Sequence, residues 1–237
     1  MLERLDKLIS ETAGVSRKDA KKIILSGEVF VNGLKCTLPK AKFAKGSVLY
    51  IGGEEKRHRP FVYIMVNKPK GLLCVSRDKT RETVTDLVKK EYPHRKLFPA
   101  GRLDKDSEGF VLLTDDGSFA HGILSPKNHI PKTYMVTIDK PFTKRMREMF
   151  LQGVVLADGT KTMPAIFNET ENPFVCEAIL KEGKYHQIKR MLGVAGVGVN
   201  RLVRVGMGGL ILDAVLQAGE YREIAEKELE KITNGSS

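Results

Sequence analysis

Asp104 stands between two cations in Gly101-Arg102-Leu103-Asp104-Lys105-Asp106-Ser107-Glu108-Gly109-Phe110, a turn-like segment that runs into the apolar Val111-Leu112-Leu113-Thr114. Basic neighbours favour the ionised form of a carboxyl group, and an ionised carboxylate on a turn can serve as a nucleophile or as a base. Three other segments concentrate polar and basic groups. Asn67-Lys68-Pro69-Lys70-Gly71 ends an apolar run, and Lys132-Thr133-Tyr134 begins another. Glu182-Gly183-Lys184-Tyr185-His186-Gln187-Ile188-Lys189-Arg190-Met191 leads into a helix-like stretch. Asp106, Asp115 and Asp116 lie near Asp104, but no histidine or further acid completes a recognisable ligand set, so no metal is expected.

The elements that must position these groups fall into two blocks. Leu2, Leu5, Ile9 and Thr12 share a helical face, so residues 2–12 read as a short amphipathic helix. Ser16 with Asp19 forms a capping box that opens a second helix bearing Ala20, Ile23 and Ile24, and Gly27 ends it. Glu28-Val29-Phe30-Val31 runs into Asn32-Gly33, a strong hairpin signal, and Ser47 to Ile51 reads as a closing strand. The polar, Pro-terminated stretch 53–60 reads as a linker. The second block starts with the apolar Phe61-Val62-Tyr63-Ile64-Met65-Val66 and mixes β-like runs such as Tyr134 to Ile138 with helical ones such as Lys144 to Gln152. This is the pattern of an α+β domain built on a mixed, largely antiparallel sheet with flanking helices. The expected division is 1–52, 53–60, 61–232, and a disordered tail at 233–237.

Composition narrows the classes. With 41% hydrophobic and 29% charged residues the chain has the make-up of a soluble globular protein, and no apolar run reaches the roughly 18 residues of a membrane span. Cys36, Cys74 and Cys176 are far apart, which speaks against a zinc site or a disulfide framework and for a reducing, cytoplasmic setting. The net charge of +11 is uneven: residues 1–60 carry thirteen Lys and Arg against seven Asp and Glu, more than half of the excess. That asymmetry points to a polyanion-binding appendage on a less basic body.

The order Arg4-Leu5-Asp6-Lys7-Leu8, Val15-Ser16-Arg17-Lys18-Asp19-Ala20, Ile24, Gly27-Glu28-Val29 and Val31-Asn32-Gly33 resembles the S4 RNA-binding domain. The resemblance implies that Arg4 and the basic face of the second helix, Arg17, Lys18, Lys21 and Lys22, meet an RNA backbone, contacts that position without reading bases. The four segments of the second block together resemble the pseudouridine synthases. The spelling Gly183 to Met191, with Ser125-Pro126-Lys127-Asn128-His129 and Gly208-Gly209, resembles the RsuA-type group acting on small-subunit (16S) ribosomal RNA. The resemblance implies Asp104 as the catalytic carboxylate, Lys189 as the cation that keeps it ionised, and Tyr134 as an aromatic face on the target base. Arg190 is the fallback for Lys189 and otherwise an RNA contact. Leu202 would pack against the bound base, Arg102 would hold the space a flipped nucleotide vacates or the backbone, and Lys68 would lie near the RNA backbone. No cofactor and no metal are implied, and a monomer working on ribosomal RNA, free or in an assembling particle, is expected, with no membrane association. Ser107 stands where threonine is usual and Met207 where isoleucine is usual; neither change removes a chemical group. Two alternatives stay open: a large-subunit (23S) RNA target, or a non-catalytic S4-containing assembly factor. A methyltransferase is disfavoured because Gly193-Val194-Ala195-Gly196-Val197-Gly198 has the wrong glycine order for a cofactor loop.

Overall fold

The computed structural model describes residues 2–125 and 127–234. The chain divides into two compact units, one holding Met1–Val62 with Val88–Leu97 and the other Tyr63–Leu87 with Phe98–Ser237.

In the first unit, β1 (Leu2–Arg4) precedes α1 (Leu5–Ala13), and the expected helix therefore starts three residues late. The reason is tertiary: Leu2, Glu3 and Arg4 pair antiparallel with β4 (Lys42–Ala44). Helix α1 buries Leu5, Leu8 and Ile9 and ends at Gly14, which sits at φ 65° with its N–H on the Ser10 carbonyl. Helix α2 (Arg17–Leu25) opens on the expected cap: Ser16 Oγ accepts from the Asp19 N–H at 3.1 Å and donates to Asp19 Oδ2 at 2.6 Å. Ala20 and Ile24 of α2 join the α1 residues over β2 (Val29–Val31) and Leu49 to form the core of this unit. Asn32 and Gly33, both at positive φ, turn β2 into β3 (Leu34–Lys35), the hairpin the Asn-Gly pair predicts. Residues 54–57, expected as linker, are instead strand β6 (Glu54–Arg57), paired along its length with β5 (Val48–Ile51) at the end of a four-stranded sheet ordered β3-β2-β5-β6.

The second unit is built on one sheet. Its strands are β7 (Tyr63–Lys68), β8 (Phe98–Pro99), β9 (Glu108–Thr114), β10 (Lys132–Ile138), β11 (Ile166–Glu169), β12 (Val175–Leu180), β13 (Val199–Met207), β14 (Leu210–Ile211) and β15 (Tyr221–Glu223). The order is β11-β12-β10-β13-β9-β7-β15, with β14 on β13 and β8 on β9. Every pairing is antiparallel except β13 with β9, which is parallel. Helices α3 (Gly117–Leu124), α4 (Lys144–Leu151), α5 (Gln187–Val194) and α6 (Glu226–Asn234) accompany it, giving the expected α+β class. One core gathers Val136, Phe150, Phe167, Ala178, Met191 and Leu202 at the β10–β13 end, and another gathers Met65, Phe110, Leu112, Met207 and Ile232 around β7 and β9. Helix α6 runs to Asn234, so Thr233 and Asn234, expected in a disordered tail, are helical; residues 235–237 lie outside the described residues.

Candidate active site

Asp104 lies in the eight-residue connection between β8 and β9. Its neighbours alternate in fate: Leu103 and Ser107 are buried, while Arg102, Lys105 and Asp106 are exposed. A turn bond from the Ser107 N–H to the Asp104 carbonyl, 3.1 Å, closes the loop around the carboxylate. The loop is then held from beneath by two cations that are themselves almost fully buried, Lys68 at 0% and Arg204 at 2% exposure. Lys68, at the end of β7, donates from Nζ to the carbonyls of Ser107 (2.8 Å), Pro69 (2.9 Å) and Lys105 (3.3 Å). Arg204, on β13, donates from Nε to the Phe110 carbonyl at 2.6 Å and from Nη1 to the Arg102 carbonyl at 3.4 Å. Buried charge persists where hydrogen bonds absorb its desolvation cost. Here those bonds fall on both sides of Asp104 and fix the backbone that carries it. Burial pushes the Lys68 ammonium below its ordinary value, with Asp106, Glu108 and Asp104 among the opposing influences. Lys68, expected at the RNA backbone, is thus corrected: it is inaccessible, and its three protons go to carbonyls.

Gly109 makes this clamp possible. It sits at φ 99°, and a Cβ there would lie 2.3 Å from the Arg204 carbonyl oxygen. The short parallel ladder Val203–Glu108 and Arg204–Gly109 requires this close approach.

A cleft of about 540 Å³ opens over the loop; Lys70, Cys74, Arg102, Asp104, Tyr185 and His186 are among the residues that line it. His186 Nε2 approaches Asp104 Oδ1 at 3.5 Å. His186 caps the start of α5 in the left-handed region, φ 48° and ψ 36°, an uncommon conformation for a non-glycine residue. Its ring stacks on that of Tyr185, centroids 3.9 Å apart at 16°.

The other residues named from the sequence fall as follows. Lys189, on α5, comes to the loop, but its Nζ meets Asp106 Oδ2 at 2.5 Å rather than Asp104. That hydrogen bond, opposed by partial burial, holds the Asp106 carboxyl below the usual carboxylate range. Arg190 pairs with Asp158 at 2.5 Å and donates to the Tyr185 carbonyl at 3.4 Å; its bond is the main reason the Asp158 carboxyl falls to about 2. Tyr134 lies directly opposite Arg204 in the β10–β13 register and packs, half-buried, against the core that contains Leu202. Leu202 is 6% exposed within that core. In the first unit, Arg4 and Arg17 both donate to the buried Asp6, at 2.7 and 2.8 Å. Burial alone would raise the Asp6 pKa, but these two guanidinium groups overcome it and leave the carboxyl below its ordinary value. Lys22 pairs with Asp19 at 3.0 Å, while Lys18 and Lys21 are exposed. His186 was not singled out from the sequence, although it stands within the Gly183 to Met191 segment; Arg204 carried no local signal.

Comparison with known proteins finds a separate family match for each of two parts of the chain. Residues 62–193 match the family of RNA pseudouridylate synthases. The chain belongs to that family. Residues 3–49 of this pseudouridylate synthase match the S4 domain. The uncharacterized RNA pseudouridine synthase YtzG of Bacillus subtilis is 41% identical over 235 residues, covering 95% of this chain and 96% of the relative. Ribosomal small subunit pseudouridine synthase A of Escherichia coli is 37% identical over 236 residues, covering 97% and 99%. Among solved structures, a pseudouridylate synthase at 35% identity superposes with a TM-score of 0.69 over 97% of this chain and 99% of its own. Among the described residues, no helix is long and apolar enough to cross a membrane.

Proposed function

We propose that this pseudouridylate synthase isomerises a uridine of small-subunit ribosomal RNA, with Asp104 as its reacting carboxylate. The observation that carries the reading is a carboxylate facing an open cleft from a loop whose backbone two buried cations clamp. Full-length likeness to an Escherichia coli small-subunit enzyme supports the choice of RNA. The reaction breaks the uridine N1–C1′ bond, turns the base, joins C5 to C1′, and moves the C5 proton away while N1 gains one. Atoms and electrons balance with no redox partner. Asp104 can attack the sugar or the base, or take the C2′ proton, and each route needs it ionised.

His186 is in contact with Asp104, Nε2 to Oδ1 at 3.5 Å. Lys189 acts one step removed, by neutralising Asp106. Tyr134, ranged beside Arg204, supplies an aromatic face for the target base, and Leu202 supports it from the core. A uridine in folded RNA must leave its stack to reach the carboxylate, at a cost of a few kcal/mol. Arg102 holds the displaced backbone on this reading, which its exposure at the cleft supports. Exposed Lys18 and Lys21 dock the S4 unit on RNA phosphates, while Arg4 and Arg17 shape that surface through Asp6. The protein works as a cytoplasmic monomer on this reading.

Tritium release from C5-labelled uridine in small- and large-subunit ribosomal RNA tests it. Release from small-subunit RNA by the wild type, lost in Asp104→Ala, is expected. Release from large-subunit RNA alone would overturn the substrate, and release surviving in Asp104→Ala would overturn the assignment of the carboxylate.

A further inference from the structure

We propose that the stacked Tyr185–His186 pair is a binding platform for the nucleotide next to the target uridine, which stacks its base on the outer face of Tyr185. The inference rests on the isomerase reading and extends its site outward from Asp104. Tyr185 is 73% exposed, far more than an aromatic ring needs for packing. One face of its ring is covered by the His186 imidazole at 3.9 Å, so the exposure belongs to the other face and the edges. The same imidazole reaches Asp104 at 3.5 Å. Asp104, imidazole and phenol therefore form a row leading from the reacting group to the rim of the cleft that all three line. A target base over Asp104 leaves the Tyr185 face free for its neighbour in the strand.

The platform is built in advance. Gln187 accepts from the Lys184 N–H at 2.9 Å and donates to Glu182 Oε1 at 2.6 Å, and that oxygen also takes the Met163 N–H at 2.8 Å. Arg190 holds the Tyr185 carbonyl. His186 keeps a left-handed backbone within this frame, a strained conformation of the kind that clusters at functional sites. An exposed tyrosine whose backbone sits in such a frame presents a flat π-face, and stacking on such a face tolerates any base. The occupant is fixed by charge. Arg102 and Lys105 are exposed on the same cleft beside Lys70, which pairs with Glu108 at 3.7 Å, and its exposed acid, Asp106, is neutralised by Lys189. A polyanion with planar groups fits this rim.

Two measurements with the full chain decide it. The first is kcat and KM for tritium release from small-subunit ribosomal RNA by wild type, Tyr185→Ala and Tyr185→Phe. The second is quenching of 2-aminopurine placed beside a uridine in a single-stranded uridine oligomer, read with the same three proteins. Tyr185→Ala is expected to raise KM by about 5- to 150-fold, the range of one base–aromatic stack, with the loss falling on KM rather than kcat. It should also lose the quenching, and Tyr185→Phe should restore both. Unchanged KM and unchanged quenching in Tyr185→Ala, with the wild type turning over, would overturn the platform alone. Failure of the isomerase reading shows differently, as no release by the wild type, and the quenching comparison still decides the platform in that case.

Discussion

Replacing Gly109 by alanine tests the clamp beneath Asp104 most directly. The new Cβ would sit 2.3 Å from the Arg204 carbonyl oxygen and 2.9 Å from its nitrogen, both backbone atoms with nowhere to swing. Ordinary carbon–oxygen contact is roughly 1 Å longer, so β9 and β13 must part at their parallel ladder. The strained backbone at φ 99° costs about 1–3 kcal/mol by itself, and the forced repacking a further 1–3 kcal/mol or so. Gly71 supplies the control. It has a similar φ of 94° on a neighbouring segment, but a Cβ there meets nothing within 4 Å. Gly71→Ala therefore pays the conformational term only, and the difference between the two variants isolates the steric one. Urea unfolding should place Gly109→Ala about 2–6 kcal/mol below wild type and Gly71→Ala about 1–3 kcal/mol below. Tritium release should fall in Gly109→Ala even under conditions where it remains folded, because Arg204 can no longer hold the Phe110 and Arg102 carbonyls. Equal destabilisation by the two substitutions, with activity kept in both, would refute the close approach as the support of the loop.

Lys68→Met removes the donor shared by three carbonyls. Orphaned acceptors cost about 1–3 kcal/mol each, offset by the several kcal/mol of burying the ammonium, which leaves a net loss of about 2–4 kcal/mol measurable by urea unfolding. Activity should drop with it, since the Lys105 and Ser107 carbonyls lie one and three residues beyond Asp104 on the same loop; a variant as stable and active as wild type would argue against the clamp. Asp6 governs the acid edge of the first unit. Its carboxyl is lowered in the folded state, so its stabilisation is complete above the ordinary aspartate value near 3.8 and fades as pH falls through the folded value. The stability gap between wild type and Asp6→Asn should accordingly be largest near neutral pH and shrink below about pH 4, followed by circular dichroism during acid titration; a gap that widened on acidification would reverse the assignment.

Local chemistry was legible in the residues themselves. Ser16 with Asp19, Asn32-Gly33, and the apolar run into Val66 announce a helix cap, a hairpin and a strand, because capping, turn conformation and side-chain alternation act over two to four neighbours. The same short range explains the misreadings. Leu2 to Arg4 joined a strand partner some forty residues away instead of extending the helix, and Glu54 to Arg57 became the edge of a sheet because β5 offered a ladder. At the site, the order of residues placed Asp104 between cations and Lys189 on a helix-like stretch, and only the family resemblance linked the two. It gave no means of knowing that Lys189, 83 residues away, would meet Asp106, or that His186 would stand beside Asp104. Lysine and arginine side chains are normally exposed, so nothing in their type marked Lys68 and Arg204 as buried. That outcome came from the strand order, which sets β9 between β7 and β13 and brings one cation from each side under a single loop. The setting of Asp104 between Arg102 and Lys105 is a property of the local sequence. The rigidity of its loop and the partner of each charge were decided by tertiary packing, because electrostatic contact and desolvation depend on distance in space and not along the chain.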